Sequence, residues 1–118
     1  MTAEPHPSLS RGQRAVELYC ERRTPEELRG EIRVECRRRG NSLTIVELRP
    51  PWHPEHQDDP WTDLAVAQLR FDPSTERWSL HSSDSNGRWH RYEAVGGSTS
   101  VDPLLREIEA DPTGIFWG

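Results

Sequence analysis

The chain has 118 residues, a net charge of -5, 32% apolar residues and a mean hydropathy of -0.90. That length serves one modest core, and no apolar run approaches the length of a membrane span. The acidic balance argues against binding spread along a nucleic-acid backbone, although a local basic patch can persist within it. All 15 basic residues are arginine, and Cys20 and Cys36 are the only cysteines. With no signal-like N-terminus, a cytoplasmic protein with reduced thiols is expected.

Residues 1–8 lack apolar periodicity and read as a disordered arm, leaving 9–118 as one domain. Ser10 is placed to cap a helix to about Arg23, with Val16, Tyr19 and Cys20 on one side. Thr24-Pro25-Glu26-Glu27 reads as a capping box opening a second short helical turn. From Glu31 the period becomes two. Ile32, Val34 and Cys36 alternate with charged residues, Gly40-Asn41 marks a turn, and Leu43 to Arg49 returns. A three-residue loop there sets Thr44, Val46 and Leu48 beside that apolar set, whereas a two-residue loop mixes Glu47 into it. The odd loop is therefore expected.

Pro50-Pro51 ends the strand. Residues 50–62 hold four prolines and two tryptophans, a structured connection whose tryptophans are expected to lie over the core. Leu64 to Phe71 is the third strand. A four-residue loop at 73–76 pairs Phe71 with Trp78 and Leu69 with Leu80, and brings Gln68 and Arg70 opposite His81 and Ser79.

Residues 76–93 carry the strongest hairpin signal, two β-rich runs around Asn86-Gly87. An even loop puts Trp78, Leu80, Trp89 and Arg91 on one face, and His81, Arg88, His90 and Tyr92 on the other. An odd loop would exchange the faces of one strand. Asp102 with Pro103 then opens a last helix carrying Leu104, Leu105 and Ile108. The apolar end, Ile115-Phe116-Trp117, is expected to dock on the sheet or on a partner. The whole reads as α+β: an antiparallel meander of about five strands, with an N-terminal and a C-terminal helix. The predicted core is Val34, Val46, Leu69, Phe71, Trp78, Leu80, Leu105 and Ile108.

CERRTP (20–25), VELRPPW (46–52), RWHRY (88–92) and DPTGIFWG (111–118) together resemble a widespread bacterial family known only as a domain of unknown function. The resemblance covers almost everything after residue 10 and implies no activity. The chain departs from the family pattern at His53 and at His81-Ser82.

Arg70, His81, Arg88, His90 and Tyr92 form the best candidate constellation. Arginine stabilises negative charge on phosphate, histidine moves protons near neutral pH, and tyrosine can orient or donate. RelE-type ribonucleases use such side chains on an antiparallel sheet, and RWHRYE has a local resemblance to their late strands. Ordinary cross-strand pairs on a solvated face account for the same residues. His53, His56, Asp58 and Asp59 offer metal-ligand chemistry, but the HPEH spacing lies in a proline-rich loop, so no metal site and no cofactor is expected. The arginines at 22–23 and 37–39 have glutamates close in sequence that would neutralise them. The leading expectation is a non-enzymatic binding module that uses the polar sheet face or Phe116 and Trp117 to hold a protein or nucleic-acid partner, with a homodimer left open. The alternative is a RelE-like endoribonuclease.

Overall fold

A computed structural model describes residues 5–28, 30–51, 55 and 58–118. Helix α1 (Pro7–Arg23) is followed by a 3-10 turn (Glu26–Leu28), then strands β1 (Arg33–Arg39), β2 (Ser42–Arg49), β3 (Thr62–Asp72), β4 (Arg77–Ser83) and β5 (Trp89–Arg91), and helix α2 (Asp102–Ala110). The strands form one antiparallel sheet in the order β1-β2-β3-β4-β5, the expected α+β meander. Both helices pack on one side of it.

α1 begins at Pro7, three residues before the expected Ser10 cap. His6 is the cap, because its Nδ1 accepts from the Ser8 N–H. Its Nε2 then donates to Glu76 at 3.1 Å, fastening the helix start to the β3–β4 loop. The expected arm over 1–8 lies partly outside the described residues, but Pro7 and Ser8 are helical. Thr24 does not build the capping box. It ends α1, and its buried hydroxyl accepts from the Val34 N–H at 2.7 Å.

The β1–β2 turn is the two-residue Gly40-Asn41, closing on Arg39 paired with Ser42. Gly40 has φ +59, the positive φ at the first central position that a type II′ turn requires. This corrects the expected three-residue loop, and it reverses the faces of β2. Leu43 and Ile45 enter the helix-side core with Glu47, while Thr44, Val46 and Leu48 face the other way. Glu47 tolerates its buried place because the Arg49 Nε donates to it at 2.6 Å, a charge-assisted bond that offsets desolvation. Val46 is buried, as expected, but outside the main core.

In β3 a bulge leaves Val66 unpaired between Ala65 and Ala67, and Val66 is buried in the core. The β3–β4 loop has the four expected residues, with Phe71 opposite Trp78 and Leu69 opposite Leu80. Beyond β5 the chain returns so that Ser98 bridges Trp78 through backbone bonds of 2.6 and 3.0 Å.

The core joins Leu9, Val16, Tyr19 and Cys20 of α1, Leu104, Leu105 and Ile108 of α2, and Phe116 to the helix side of the sheet. At its centre the Trp78 indole lies against Gly12, a buried residue in the middle of α1. A Cβ at position 12 would lie 2.3 Å from Cζ2 of Trp78, so helix and sheet approach closely only because no side chain intervenes. In an exposed helix interior Gly→Ala gains about 1 kcal/mol. Here Gly12→Ala should instead destabilise by roughly 1–3 kcal/mol, because the added methyl overpacks a rigid ring. Urea unfolding of the variant beside wild type checks the sign, and an increase in stability would show that the contact is not tight.

Candidate functional site

The side of the sheet away from the helices carries two cross-strand rows. Arg37, Thr44, Gln68, His81 and Arg91 follow one another across all five strands, and Arg39, Ser42, Arg70 and Ser79 run beside them. The rows are stitched laterally, since Gln68 Nε2 donates to Thr44 Oγ1 at 3.0 Å and Arg70 Nε donates to Gln68 Oε1 at 2.6 Å. Ser79 Oγ lies 2.8 Å from His81 Nε2. Arg37 reaches Asp63 at 2.8 Å. Farther along the same side Trp61 lies beneath the guanidinium of Arg33, 4.5 Å from ring centre to Cζ.

His81 is 8% exposed although no helix covers this side, because its ladder neighbours Gln68 and Arg91 flank it. Burial, then the charges of Arg70 and Arg91, push its pKa down to about 4. The ring is therefore neutral at physiological pH, an uncharged hydrogen-bonding group between two fixed cations.

The structure divides the expected constellation. Arg70 and His81 stand together as the β3–β4 register requires, but His90 and Tyr92 do not join them. The β4–β5 turn is the odd one: Asp84 N–H donates to the Arg88 carbonyl at 2.8 Å, closing a three-residue Ser85-Asn86-Gly87 turn with Gly87 at φ +78, as in a bulged turn. His81 consequently pairs with Arg91 instead of lying across from Tyr92, and Trp89 and Arg91 take the places on the open face given to His90 and Tyr92. The determinant is Asp84, whose Oδ1 accepts the N–H groups of Asn86 and Arg88 and whose Oδ2 lies 2.6 Å from His90 Nε2. These bonds, that to His90 first, hold its carboxyl below the usual carboxylate range. Arg88 is an exposed loop residue.

Tyr92 turns to the helix side, where its hydroxyl donates to Glu107 at 3.0 Å and its ring lies 5.1 Å from that of Phe116. Phe116 is 5% exposed and belongs to the core. Trp117 is half-buried, with Arg23 Cζ 4.0 Å above its ring. The tail therefore docks on its own chain. Asp111, in the left-handed region at φ 42, aims its carboxylate back along the tail and accepts the N–H groups of Phe116 at 3.0 Å and Trp117 at 2.8 Å. Burial opposes its ionisation, yet these backbone donors carry its pKa below the usual value. Nearby, the Tyr19 hydroxyl donates to Glu109 at 2.6 Å, and Arg23 also donates to Glu109. Burial, then Glu109, raises the Tyr19 pKa, while the Trp117 indole N–H close by favours the ionised form. That N–H nevertheless makes no hydrogen bond of good geometry.

Both cysteines are free. Burial raises Cys36 to about 11 and, with Cys36 and neighbouring glutamates, Cys20 to about 12, so both thiols stay protonated. His53 and His56 lie outside the described residues, and no group of three metal-ligating side chains occurs among the described ones. Clefts of about 660 Å³ at Glu47, Arg49 and Leu64 and about 460 Å³ between α1 and α2 do not include Arg70, His81 or Arg91. No described helix is long and apolar enough to cross a membrane.

A family model, Domain of unknown function (DUF3024), matches residues 4–118. The chain belongs to the DUF3024 family. No curated protein and no solved structure matches it. For this DUF3024 member the open face around His81 is thus the place where exposed charge, an aromatic ring and a perturbed histidine coincide.

The low pKa of His81 sets the sign of a pH dependence. Between the ordinary value of 6.5 and about 4 the unfolded chain takes up a proton that the folded chain refuses, so stability falls as pH drops through that window. The depressed carboxyls of Asp72, Asp84 and Asp111 act below their ordinary value of 3.8, outside it. Urea titrations at several pH values between 7.5 and 4.5 should show the loss in wild type and a flatter profile in His81→Gln; equal slopes would refute the buried, neutral ring.

At the tail, Asp111→Ala leaves two backbone donors without their acceptor and should cost roughly 1–3 kcal/mol. Faster amide exchange confined at first to residues 115–117 would locate the loss. Unchanged exchange there would remove Asp111 from its holding role.

Proposed function

We propose that residues 9–118 act as one cytoplasmic binding module, with no reaction of its own, that holds an extended anionic partner across the open sheet face, single-stranded nucleic acid being the best match. The observation behind this reading is a charge separation. Among the described strand residues six arginines (33, 37, 39, 70, 77 and 91) stand on that face against Glu35, Asp63 and Asp72, in a chain whose net charge is -5. The acidity is concentrated elsewhere, and this side is left as a local basic surface.

The chemistry of the rows suits such a partner. Arg70 and Arg91 flank a neutral histidine, so the centre offers phosphate two permanent cations with hydrogen-bonding groups between them. Trp89, half-buried and two residues from Arg91 on the same side, offers a ring on which a base can stack, and exposed sheets carrying aromatic and cationic side chains bind single strands in this way. A ribonuclease of the RelE type would want its tyrosine and second histidine beside Arg70 and His81. Tyr92 and His90 face the helix side instead, which favours binding over cleavage.

The test is the double variant Arg70→Ala/Arg91→Ala. Both side chains are exposed, so each change should move stability by no more than about 0.5 kcal/mol. Binding of fluorescent single-stranded oligonucleotides should weaken, and the slope of log affinity against log salt should fall by roughly 0.7 for each phosphate that is no longer neutralised. Oligonucleotide binding that is absent in wild type, or equal in the variant, would overturn the reading. Preferential binding of polyglutamate would reassign the face to an acidic protein, and RNA cleavage that disappears with His81→Ala would restore the enzymatic alternative.

A further inference from the structure

β1 is the end strand of the sheet, and its outward edge is only partly closed. The two-residue turn makes Arg39 and Ser42 a hydrogen-bonded pair, so by the alternation of an antiparallel ladder Arg33, Glu35, Arg37 and Arg39 direct their backbone groups inward to β2. Val34, Cys36 and Arg38 direct theirs outward. Val34 shows this, since its N–H is taken by Thr24 of the α1 terminus at 2.7 Å. The N–H groups of Cys36 and Arg38 have no hydrogen-bond partner among the described residues. Charged residues on an edge strand ordinarily repel a chance strand; here one glutamate, Glu35, stands among Arg33, Arg37 and Arg39 in a way that suits one particular partner.

We propose that this edge is the surface on which a second copy of the chain pairs, β1 against β1, antiparallel about a two-fold axis at Arg37. In that register the outward groups of Cys36 meet those of Arg38 of the second copy, and the reverse, for four backbone hydrogen bonds. On the open face Glu35 comes opposite Arg39 of the second copy, twice. On the helix side Arg38 of the second copy comes opposite Cys36, where a groove of about 230 Å³ presents Glu17 and Glu21 of α1 together with Cys20, Val34 and Cys36. Only Arg37 meets its like, and each Arg37 is already held by Asp63 at 2.8 Å and approached by Glu35 at 4.0 Å.

Thr24 selects this register. Pairing shifted to an axis at Cys36 would set Val34 against Arg38 of the second copy, where the Val34 N–H is already taken by Thr24, so each outer pair would lose one of its two bonds and meet the Thr24 side chain that stands at the edge there. The ladder about Arg37 spans residues 35–39 and stops short of Val34. An interface so short gives a weak dimer that forms with rising concentration. It joins two five-stranded sheets edge to edge into one and brings the Arg33, Arg37 and Arg39 side chains of both copies to the middle of a common face. The pairing stands independently of what that face binds.

Sedimentation velocity of the full chain from about 10 µM to about 1 mM, spanning the range in which weak association shows, should give a mass rising from 13.6 kDa towards twice that. Glu35→Arg and Arg39→Glu alone each turn two attractive cross-strand pairs repulsive and should raise the dissociation constant about tenfold or more. Together they recreate the attraction with signs exchanged and should restore dimerisation to near the wild-type value. Both residues are exposed, and thermal melts verify that the variants fold. Wild type supplies a second readout: exchange of the Cys36 and Arg38 amides should slow as concentration rises, while that of Val34 stays constant. A chain monomeric throughout, a dimer indifferent to the single changes, a double variant no better than the singles, or a dimer that leaves those two amides unprotected would each overturn the proposal.

Discussion

The contact between the Trp78 indole and the backbone of α1 at Gly12 fixes where everything else can be. A mostly polar chain of this length has few large apolar groups for a core, and Trp78 is the largest that is fully buried among the described residues. Its benzene edge fills the space that a side chain at residue 12 would need, so α1 settles close to the sheet with Val16 and Tyr19 following along the same stripe. The other surfaces of Trp78 are equally committed: Phe71 packs against it with the rings tilted by 48° and their centres 5.0 Å apart, and Ser98 bonds to its backbone. One residue thus sets the height of the helix, the pairing of β3 with β4, and the return of the chain towards α2.

With both helices and the tail gathered on that side, the second side of the sheet is left to polar rows. The arginines there do not depend on the core for position. They are spaced by the ladder itself, roughly 4.8 Å between strands and two residues along each strand, and held by bonds such as those from Arg70 to Gln68 and from Gln68 to Thr44. Binding chemistry placed on a ladder comes with a spacing, which suits a repetitive partner better than a compact one.

Much of the architecture was legible in the sequence because the apolar period and the turn residues agreed there. Phe71-Asp72 and Arg77-Trp78 enclose a loop whose length left one register, and Leu104, Leu105 and Ile108 form a stripe that only a helix makes. The structure departs from the sequence expectation where face assignment depends on the parity of a loop. At Gly40-Asn41 the alternation rule argued for keeping Glu47 out of the core, and the rule gave way because Arg49 supplies the missing charge. At Ser85-Asn86-Gly87 the deciding interaction is the carboxylate of Asp84, a side chain bonding to backbone groups two and four residues on, which leaves no periodic trace. The place of Gly12 was equally silent. Glycine within a helix usually signals weakness, and its role shows only when the indole it receives is seen. The Asp111-to-tail bonds were invisible for the same reason, although the apolar character of Phe116 and Trp117 did announce that the tail would dock.

The three-residue turn after Asp84 makes the character of the open face a matter of counting. Because side chains alternate along a strand, adding or removing a single residue between Asp84 and Arg88 would carry His90 and Tyr92 over to stand beside His81 and Arg70, and would send Trp89 and Arg91 to the helix side. No point substitution achieves such an exchange. Two surfaces of different chemistry are therefore separated in sequence space by one insertion or deletion, and the carboxylate of Asp84, by tying down both Asn86 and Arg88, keeps the chain on one side of that boundary.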